Sequence, residues 1–492
     1  MATYKHGISI SEKPTSVLPP VEVTAGIPFI VGTAPVNMGD VTNVNKPTLC
    51  YGYDEAVAAF GYVPPVETAG STLKKHEYTI SEFIRSQFAL YGVNPVIIVN
   101  VLDPAKHKKT ADTTTVNVDN RNGTVTVKET GILLDTVKIE GETYLKDTDF
   151  VMSFDSNGYL VISSLTDADG EYKVECGKDL TFTAEKLDPS AVTVEDITGG
   201  VDTTGNKSGF ELVSECFPRF RLVPGILLAP GYSSDPALAA IMGAKAANIN
   251  EVFKAVSLID VPTNTVKRYT DVAAWKNDNN ITDALQICCY PMLAQDDVVY
   301  NQSTQLAGLL GQVDGENDDV PFVSPSNKNY QMTAAVLADG TEVWLGQDAA
   351  SYLNGEGVVT ALNFIGGWKC WGNRTACYPG STDPKDAFIP VRRMFNWIGN
   401  SLVQTYWQQL DAPLNRRQID TVVDMANIWL NGLTARQHIL GGRLEFLESE
   451  NPSTDLIDGK AKFHLYITPA SPNREIDFVL EYDPSYLEGL FG

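Results

Sequence analysis

Residues 95–101, PVIIVNV, decide the fold class of this chain. A continuous run of β-branched residues is typical of a strand that is covered on both faces of a sheet. Residues 27–32 form a second apolar run of this kind. Between the two runs, residues 80–91 place Ile80, Phe83, Ile84 and Phe88 at helical spacing. This order of strand, helix and strand predicts an α/β unit in residues 26–110.

The pattern changes at about Ala111. Residues 111–205 carry the dipeptides Asn122-Gly123, Asn157-Gly158 and Asp169-Gly170 beside runs of alternating polarity, and such dipeptides are strong signals for hairpin turns. The segment also holds 19 acidic and 7 basic residues. We predict an inserted all-β domain, a sandwich or compact barrel, that lies on the solvated exterior.

The α/β pattern resumes in residues 206–356. Apolar runs at 225–229, 255–259 and 285–289 predict buried strands, and Asp235 with Pro236 predicts a helix that continues to Ala247. The simplest topology is one α/β domain interrupted by the inserted β domain.

Residues 357–492 predict a C-terminal domain of helices and terminal strands. One amphipathic helix is expected at 389–410, and a second begins at Asn415, which forms a capping pair with Gln418. Residues 461–468 and 475–482 read as two closing strands. The fold class is therefore α+β and multi-domain, with an α/β core.

Residues 1–25 predict an extended arm. Residues 4–10 alternate as a strand does, and Pro14, Pro19 and Pro20 exclude a helix after them. The alternative is a disordered terminus.

Composition excludes several classes of protein. The chain has 37 basic and 61 acidic residues, a net charge of -24, which argues against nucleic-acid binding. Seven scattered cysteines without CxxC spacing indicate reduced thiols. No apolar segment has the length of a signal peptide or a membrane span. We expect a protein made in a cytoplasm without membrane insertion.

Motifs that would carry chemistry are not found. Residues 200–208 approach a phosphate loop, but the spacing before Lys207 is wrong. The five histidines lack the spacing of metal ligands. The sequence predicts no enzyme activity, no cofactor and no metal site.

Residues 364–375, FIGGWKCWGNRT, resemble the most recognisable motif of contractile tail sheath proteins, with Cys370 where an aromatic residue is common. Further matching segments occur in the family's order and cover nearly the whole chain except 111–205. They are His6-Gly7-Ile8, Asn45-Lys46-Pro47, Phe60-Gly61, Pro224-Gly225 and Pro390-Val391-Arg392-Arg393.

This resemblance implies a structural subunit, not an enzyme. Such subunits polymerise as hexameric rings, stacked in a helix around a rigid inner tube, and contract to drive the tube through a cell envelope. The implied partners are further copies of the chain, the tail tube protein, the baseplate and the tail terminator. The implied setting is a phage tail or phage-tail-like particle, made in the bacterial cytoplasm and released by lysis. The alternatives are another tail or baseplate component, or a β-rich adhesin.

The motif is expected to hold the core together. Its residues are Trp371, Gly372, Asn373, Arg374 and Thr375. The tryptophan is expected to anchor packing, Gly372 to occupy a turn, and Arg374 to bind a carboxylate or the carbonyl groups at a helix end.

Basic residues in the C-terminal part suggest a surface that contacts the tube. Residues 366–443 carry nine basic and five acidic residues, and Arg416 and Arg417 stand at a helix start, where cations are disfavoured. These two arginines, with Arg392 and Arg393 as helpers, are candidates for contact with an acidic tube. The alternative is an ordinary solvated face.

The two termini are expected to exchange strands between subunits. The arm has strand residues with no nearby pairing partner, and the closing strands have edges that need covering. Pairing of one with the other in a neighbouring subunit would meet both needs. The candidate residues are Tyr4, Gly7, Ile8, Ile10, Phe463, Leu465, Ile467, Ile476, Phe478 and Leu480. The alternative is an arm that folds back on its own domain.

Overall fold

The computed structural model describes residues 21–67, 73–112, 114–117, 122–139, 144–174, 177 and 179–490. The first part of the chain forms a strand-rich α/β segment, in which π-helix Arg85–Tyr91 continues α2. Its elements are β1 (Pro28–Gly32), β2 (Thr48–Cys50), α1 (Tyr53–Phe60), β3 (Val66–Glu67), β4 (Lys74–Lys75), α2 (Thr79–Ile84) and β5 (Val96–Asn100).

The inserted segment is almost entirely β. Its elements are β6 (Lys108–Thr110), β7 (Thr114–Asn117), β8 (Thr124–Val127), β9 (Lys138–Ile139), β10 (Phe150–Phe154), β11 (Leu160–Ser164), β12 (Asp179–Thr183) and β13 (Glu185–Leu187), followed by helix α3 (Val194–Thr198).

The second part of the α/β domain alternates helices and strands. Its elements are α4 (Cys216–Phe220), β14 (Ile226–Leu228), α5 (Pro236–Ala247), β15 (Val256–Asp260), α6 (Tyr269–Asp278), β16 (Gln286–Cys289), β17 (Met292–Gln295), β18 (Val298–Tyr300), α7 (Gln302–Gly315), β19 (Ala334–Val336) and α8 (Gln347–Gly355).

The C-terminal part carries the longest helices. Its elements are β20 (Val358–Asn363), β21 (Trp368–Trp371), α9 (Pro384–Ala387), α10 (Ile389–Tyr406), α11 (Arg416–Ala435), β22 (Ile439–Glu445), α12 (Ser453–Ile457) and β23 (His464–Pro469).

One eight-stranded sheet organises the molecule. Its order is β2-β5-β1-β14-β15-β16-β20-β21. The six inner strands are parallel, and the outer strands β2 and β21 are antiparallel to their neighbours. Strands β1, β5 and β15 are buried along their whole length, which explains why they read as continuous apolar runs. The predicted α/β core is confirmed.

The predicted domain boundary at residue 357 is wrong. Strands β20 and β21 complete the central sheet, so the α/β domain extends to Trp371. A five-stranded sheet in the order β19-β17-β18-β4-β3 lies beside it and was not predicted, because its strands are only two to four residues long.

The inserted domain has its own small core. Strands β8, β10 and β11 form one sheet and β7, β9 and β12 another, with Phe150, Leu160 and Phe182 buried between them. The hairpin predicted at Asn157-Gly158 joins β10 to β11. The one predicted at Asn122-Gly123 is not found among the described residues, where β8 pairs with β11 and β7 with β12.

The inserted domain was predicted to span 111–205, but it ends before residue 205. Strands β6 and β13 pair antiparallel, with Thr110 opposite Glu185, and close the insertion. Beyond them, Val192 and Ile197 are buried in the core of the α/β domain. Residues 188–205 therefore belong to the α/β domain.

The C-terminal domain packs around α10 and α11, whose buried core includes Trp397, Trp429 and Leu433. The antiparallel pair β22–β23 packs against this core. The strand predicted at 461–468 is confirmed as β23, whereas the one predicted at 475–482 is wrong, because these residues form no ladder within the described chain.

Candidate interaction surfaces

The motif residues join the edge of the sheet to helix α10. Gly372 follows β21 with a φ of 137°, and a Cβ there would lie 2.6 Å from the side-chain amide of Asn354 and 3.0 Å from the Cα of Val359, so only glycine fits. The carbonyl of Asn373 accepts from the amide of Ile389 (2.9 Å). The buried hydroxyl of Thr375 donates to the carbonyl of Asp386 (2.6 Å). These contacts support a packing role for the motif.

Arg374 does not make the predicted hydrogen bonds. Its guanidinium stacks between two rings, 3.7 Å from the centroid of Phe388 and 4.3 Å from that of Tyr378. In the described part of the chain its side chain has no hydrogen bond and no ion pair. Cation–π contacts hold the group in place without using its donors.

Arg392 and Arg393 are not available to a tube, which corrects the prediction for these two residues. The side chain of Arg393 is 3% exposed and forms a bidentate ion pair with Asp314, which is 1% exposed. Arg392 donates to Asp386 (2.8 Å), and its side chain is 12% exposed. Both arginines face inward from α10, and no sequence signal distinguished them from surface residues.

Arg416 and Arg417 lie on the surface at the start of α11. Asn415 caps this helix by accepting from the amide of Gln418 (3.0 Å), as predicted. The side chain of Arg416 is 85% exposed and pairs with Asp420 one turn later. Arg417 is also exposed. Both are accessible to a partner.

The pair β22–β23 and the segment after it leave surface unpaired. No third strand joins this pair among the described residues. Leu465 and Ile467 turn toward the core of their own domain, and the ring of Phe463 lies 5.3 Å from that of Phe446. These three candidates therefore already have partners within the chain.

Residues 475–483, which we call the C-terminal tail, are exposed. Ile476, Phe478 and Leu480 are 64%, 80% and 94% exposed. They alternate with Glu475, Asp477 and Glu481, so in an extended conformation one face is apolar and the other mostly acidic. The apolar face of such a segment is suited to being covered by a binding partner.

The N-terminal end of the described chain is held by the C-terminal domain. The amide of Val21 donates to the hydroxyl of Thr405 (3.0 Å). The indole of Trp397 donates to the carbonyl of Val23 (2.6 Å), and that of Trp429 to Glu22 (2.9 Å). Residues 21–25 thus pack as part of this core instead of forming an arm. The predicted strand residues Tyr4, Gly7, Ile8 and Ile10 lie outside the described residues.

The usual ligand crevice of a doubly wound sheet is filled. The strand order reverses beside β1, where such folds bind ligands at the carboxyl edge. Here Thr33, just after β1, and Thr79, at the start of α2, exchange hydrogen bonds of 3.0 and 3.2 Å between backbone amides and hydroxyls. The helix start therefore occupies the crevice.

Two buried carboxyl groups hold the start of α7. Glu82 accepts from the amide of Asn301 (2.8 Å), and Asp260 from the amide of Ser303 (2.9 Å). Burial raises the pKa of Glu82 to about 7 and that of Asp260 to about 6. Because the helix donors occupy both groups, their role is structural.

Within the described ranges, no group of three or more His, Cys, Asp or Glu side chains is placed to hold a metal ion. None of the described helices combines the length and apolar character needed to cross a membrane.

The chain is similar over its full length to a tail sheath protein. The tail sheath protein of Burkholderia phage BcepMu is 27% identical over 511 residues, covering 100% of this chain and 99% of that protein. The resemblance to contractile tail sheath proteins is confirmed. No family model matches the chain, so this sheath relationship rests on whole-chain similarity.

Solved sheath structures share the fold. The sheath complex of an extracellular contractile injection system in the contracted state superposes with a TM-score of 0.57 at 13% identity, covering 99% of both chains. The contracted helical sheath of the anti-feeding prophage gives a TM-score of 0.54 at 14% identity, covering 98% of this chain and 100% of that one. The chain thus has a mixed α/β sheath fold.

Proposed function

We propose that this chain is the subunit of a contractile sheath, which polymerises as hexameric rings in a helix around an inner tube and contracts. The observation that carries the proposal is the exposed C-terminal tail beside an unpaired two-stranded sheet, in a chain related over its full length to a tail sheath protein. Five of the tail's apolar side chains are at least 64% exposed, and a partner that covers them gains hydrophobic free energy.

The exposed tail and the N-terminal end connect to the same domain. The described chain begins beside α10 and is anchored in the core that supports β22–β23. The exposed tail and the residues ahead of Val21 are the segments that we propose reach neighbouring subunits, where their backbone hydrogen bonds would pair with open strand edges. We propose that strand exchange of this kind links the subunits while their relative positions change.

Contraction requires two assembled states of different free energy. We propose that the contracted state buries more surface between subunits and pairs more charges, so that it needs no nucleotide. We further propose an inner tube protein, the baseplate and the tail terminator as partners, and lysis as the route of release.

Electron microscopy of the purified chain tests the proposal. We expect striated hollow tubes from the unmodified chain, and discrete particles from a variant with Ile476→Ser, Phe478→Ser and Leu480→Ser. Because these side chains are exposed in the subunit, the variant should unfold at the same temperature. Val201→Ser, at a residue 58% exposed in a loop, is the matched control and should form tubes.

Discrete particles from the unmodified chain, alone and with its tube protein, would contradict the sheath function and favour a baseplate component or an adhesin. If the triple variant forms normal tubes, the sheath function stands, but the tail does not link the subunits.

A further inference from the structure

A groove of about 830 Å³ lies between the motif and the residues that lead into the C-terminal tail. Arg374 and Asn373 form one wall, and residues 470–475 contribute to another. A second depression of about 500 Å³, at the tip of the β20–β21 hairpin, continues it, because Asn327, Gln347 and Trp371 line both. The combined groove has the dimensions of a site for a polypeptide segment, and is far larger than a single small anion needs.

Arg374 presents unused hydrogen-bond donors to this groove. A guanidinium carries five N–H donors, and none of them has an acceptor in the described part of the chain. The stacking rings of Phe388 and Tyr378 fix the plane of the group. Burial, together with the positive charge of Arg474, lowers the pKa of Arg374. The arginine is therefore oriented and partly desolvated without a counter-ion.

The charges that line the groove are unbalanced. Its basic side chains are Lys328, Arg374 and Arg474, and its acidic side chain is Glu475. Glu475 accepts a hydrogen bond from Arg474 (3.1 Å), so Arg374 and Lys328 have no anionic partner among the residues that the structure describes. A planar, pre-oriented guanidinium binds carboxylates and phosphates through paired hydrogen bonds, and a protein partner supplies the carboxylate.

The chain's own tail is poorly placed to supply this carboxylate. Residues 470–475 already line the groove. Glu475 is the one acidic residue of this stretch, and its carboxylate already accepts a hydrogen bond from Arg474.

We propose that Arg374 binds a carboxylate of a second copy of this chain in the groove. The chain carries 61 acidic against 37 basic residues, so a neighbouring copy offers many carboxylates to this locally basic groove. The inference rests on the proposed function, since it requires that copies assemble.

Chemical cross-linking of assembled particles tests this contact. Arg374→Lys keeps the charge and adds an amine, which a carbodiimide joins to a carboxylate in direct contact. Particles are assembled from equal amounts of unlabelled and ¹⁵N-labelled variant. About half of the cross-links from position 374 should then join one labelled and one unlabelled peptide, as random mixing of two chains gives. If every cross-link from position 374 joins two peptides with the same label, or if no cross-link forms there, the proposal is overturned.

A second variant measures the contribution of the contact. Arg374→Gln should raise the concentration needed for assembly about tenfold, as expected for the loss of one charge-assisted hydrogen-bonded pair. The circular dichroism of the dilute, unassembled chain should be unchanged. Arg219→Gln, at an exposed arginine paired with Glu215, is the control and should assemble at the normal concentration. An unchanged assembly concentration for Arg374→Gln would also overturn the proposal.

The two hypotheses fail in different ways. If the unmodified chain forms no polymer under any condition, the proposed function fails. If it polymerises but position 374 gives no cross-link between copies, the sheath function stands and the groove contact alone is refuted.

Discussion

Arg393 of α10 and Asp314 of α7 form a bidentate ion pair in the interior, and one nitrogen of Arg393 also donates to the carbonyl of Ala25 (3.4 Å). The pair therefore joins the central α/β domain, the C-terminal helices and the N-terminal end of the described chain. Removing either partner of such a pair destabilises the fold, because the charge left unpaired in the interior is costly.

We predict that Arg393→Met destabilises the subunit by about 3–5 kcal/mol, because Asp314 is left buried and unpaired. The change appears as a lower unfolding temperature in calorimetry. Adding Asp314→Leu should recover part of the loss. Arg416→Met, which breaks an exposed pair with Asp420, should cost about 0–1 kcal/mol. Equal unfolding temperatures for Arg393→Met and the unmodified chain would refute the assignment.

Reversing the charge of Arg416 and Arg417 to Glu should weaken loading of the sheath on isolated tubes. The loss should be largest at low salt, since exposed charges are screened as ionic strength rises. Stability should change little, because the favourable interaction of acidic residues with the helix dipole offsets the loss of the exposed Arg416–Asp420 pair. Co-sedimentation with tubes measures the effect. Arg219→Glu serves as the matched exposed control. Normal loading of the double variant at low salt would rule out this surface.

The inserted domain should be dispensable for assembly when it is cut at its structural limits. Thr110 and Glu185 face each other across the β6–β13 ladder, so a short Gly/Ser linker in place of 111–184 closes a hairpin without strain. We expect this variant to polymerise, as judged by electron microscopy. Replacement of the full 111–205 removes the buried Val192 and Ile197 and should lower the unfolding temperature. Failure of the folded shorter deletion to assemble would give this domain a direct role in assembly.

Deletion of residues 1–20 should give folded monomers that form neither rings nor tubes, because the segment proposed to reach a neighbour is lost. The unfolding temperature should be unchanged, since Glu22 and Val23 keep their bonds to Trp429 and Trp397. Deletion of residues 1–25 breaks these bonds and should destabilise the chain. Light scattering and microscopy provide the measurements. Contractile tubes from the shorter truncation would exclude exchange of this terminus.

Acidification should stabilise the subunit between about pH 8 and pH 5. Glu82 and Asp260 have pKa values of about 7 and about 6 in the folded chain, above their ordinary values of 4.5 and 3.8. The folded state therefore binds protons more tightly, and the cost of burying the ionised groups disappears as the pH falls through these values. Glu82→Gln should flatten the dependence of unfolding temperature on pH. An equally steep dependence in this variant would contradict the assignment.

The sequence predicted the parts of this structure that local patterns determine. Helix α5 begins after Asp235 and ends at Ala247 as expected, because its cap and its proline are local signals. The inward direction of Arg393 was not predictable, since Asp314 lies 79 residues away in sequence and meets it only in the folded chain. The hairpin expected at Asn122-Gly123 is not found among the described residues, where long-range pairing decides the partner of β8.

The path of the chain from Val21 to β1 has a mechanical consequence. Tension applied ahead of Val21 acts first on the hydrogen bonds to Thr405 and Trp397. It then reaches β1, which is bonded on both sides in the middle of the eight-stranded sheet. A strand pulled along its own length inside such a ladder must break all its bonds together in shear, whereas an edge strand is peeled away bond by bond. A subunit pulled by its N-terminal end would therefore move as one body before β1 separated from the sheet.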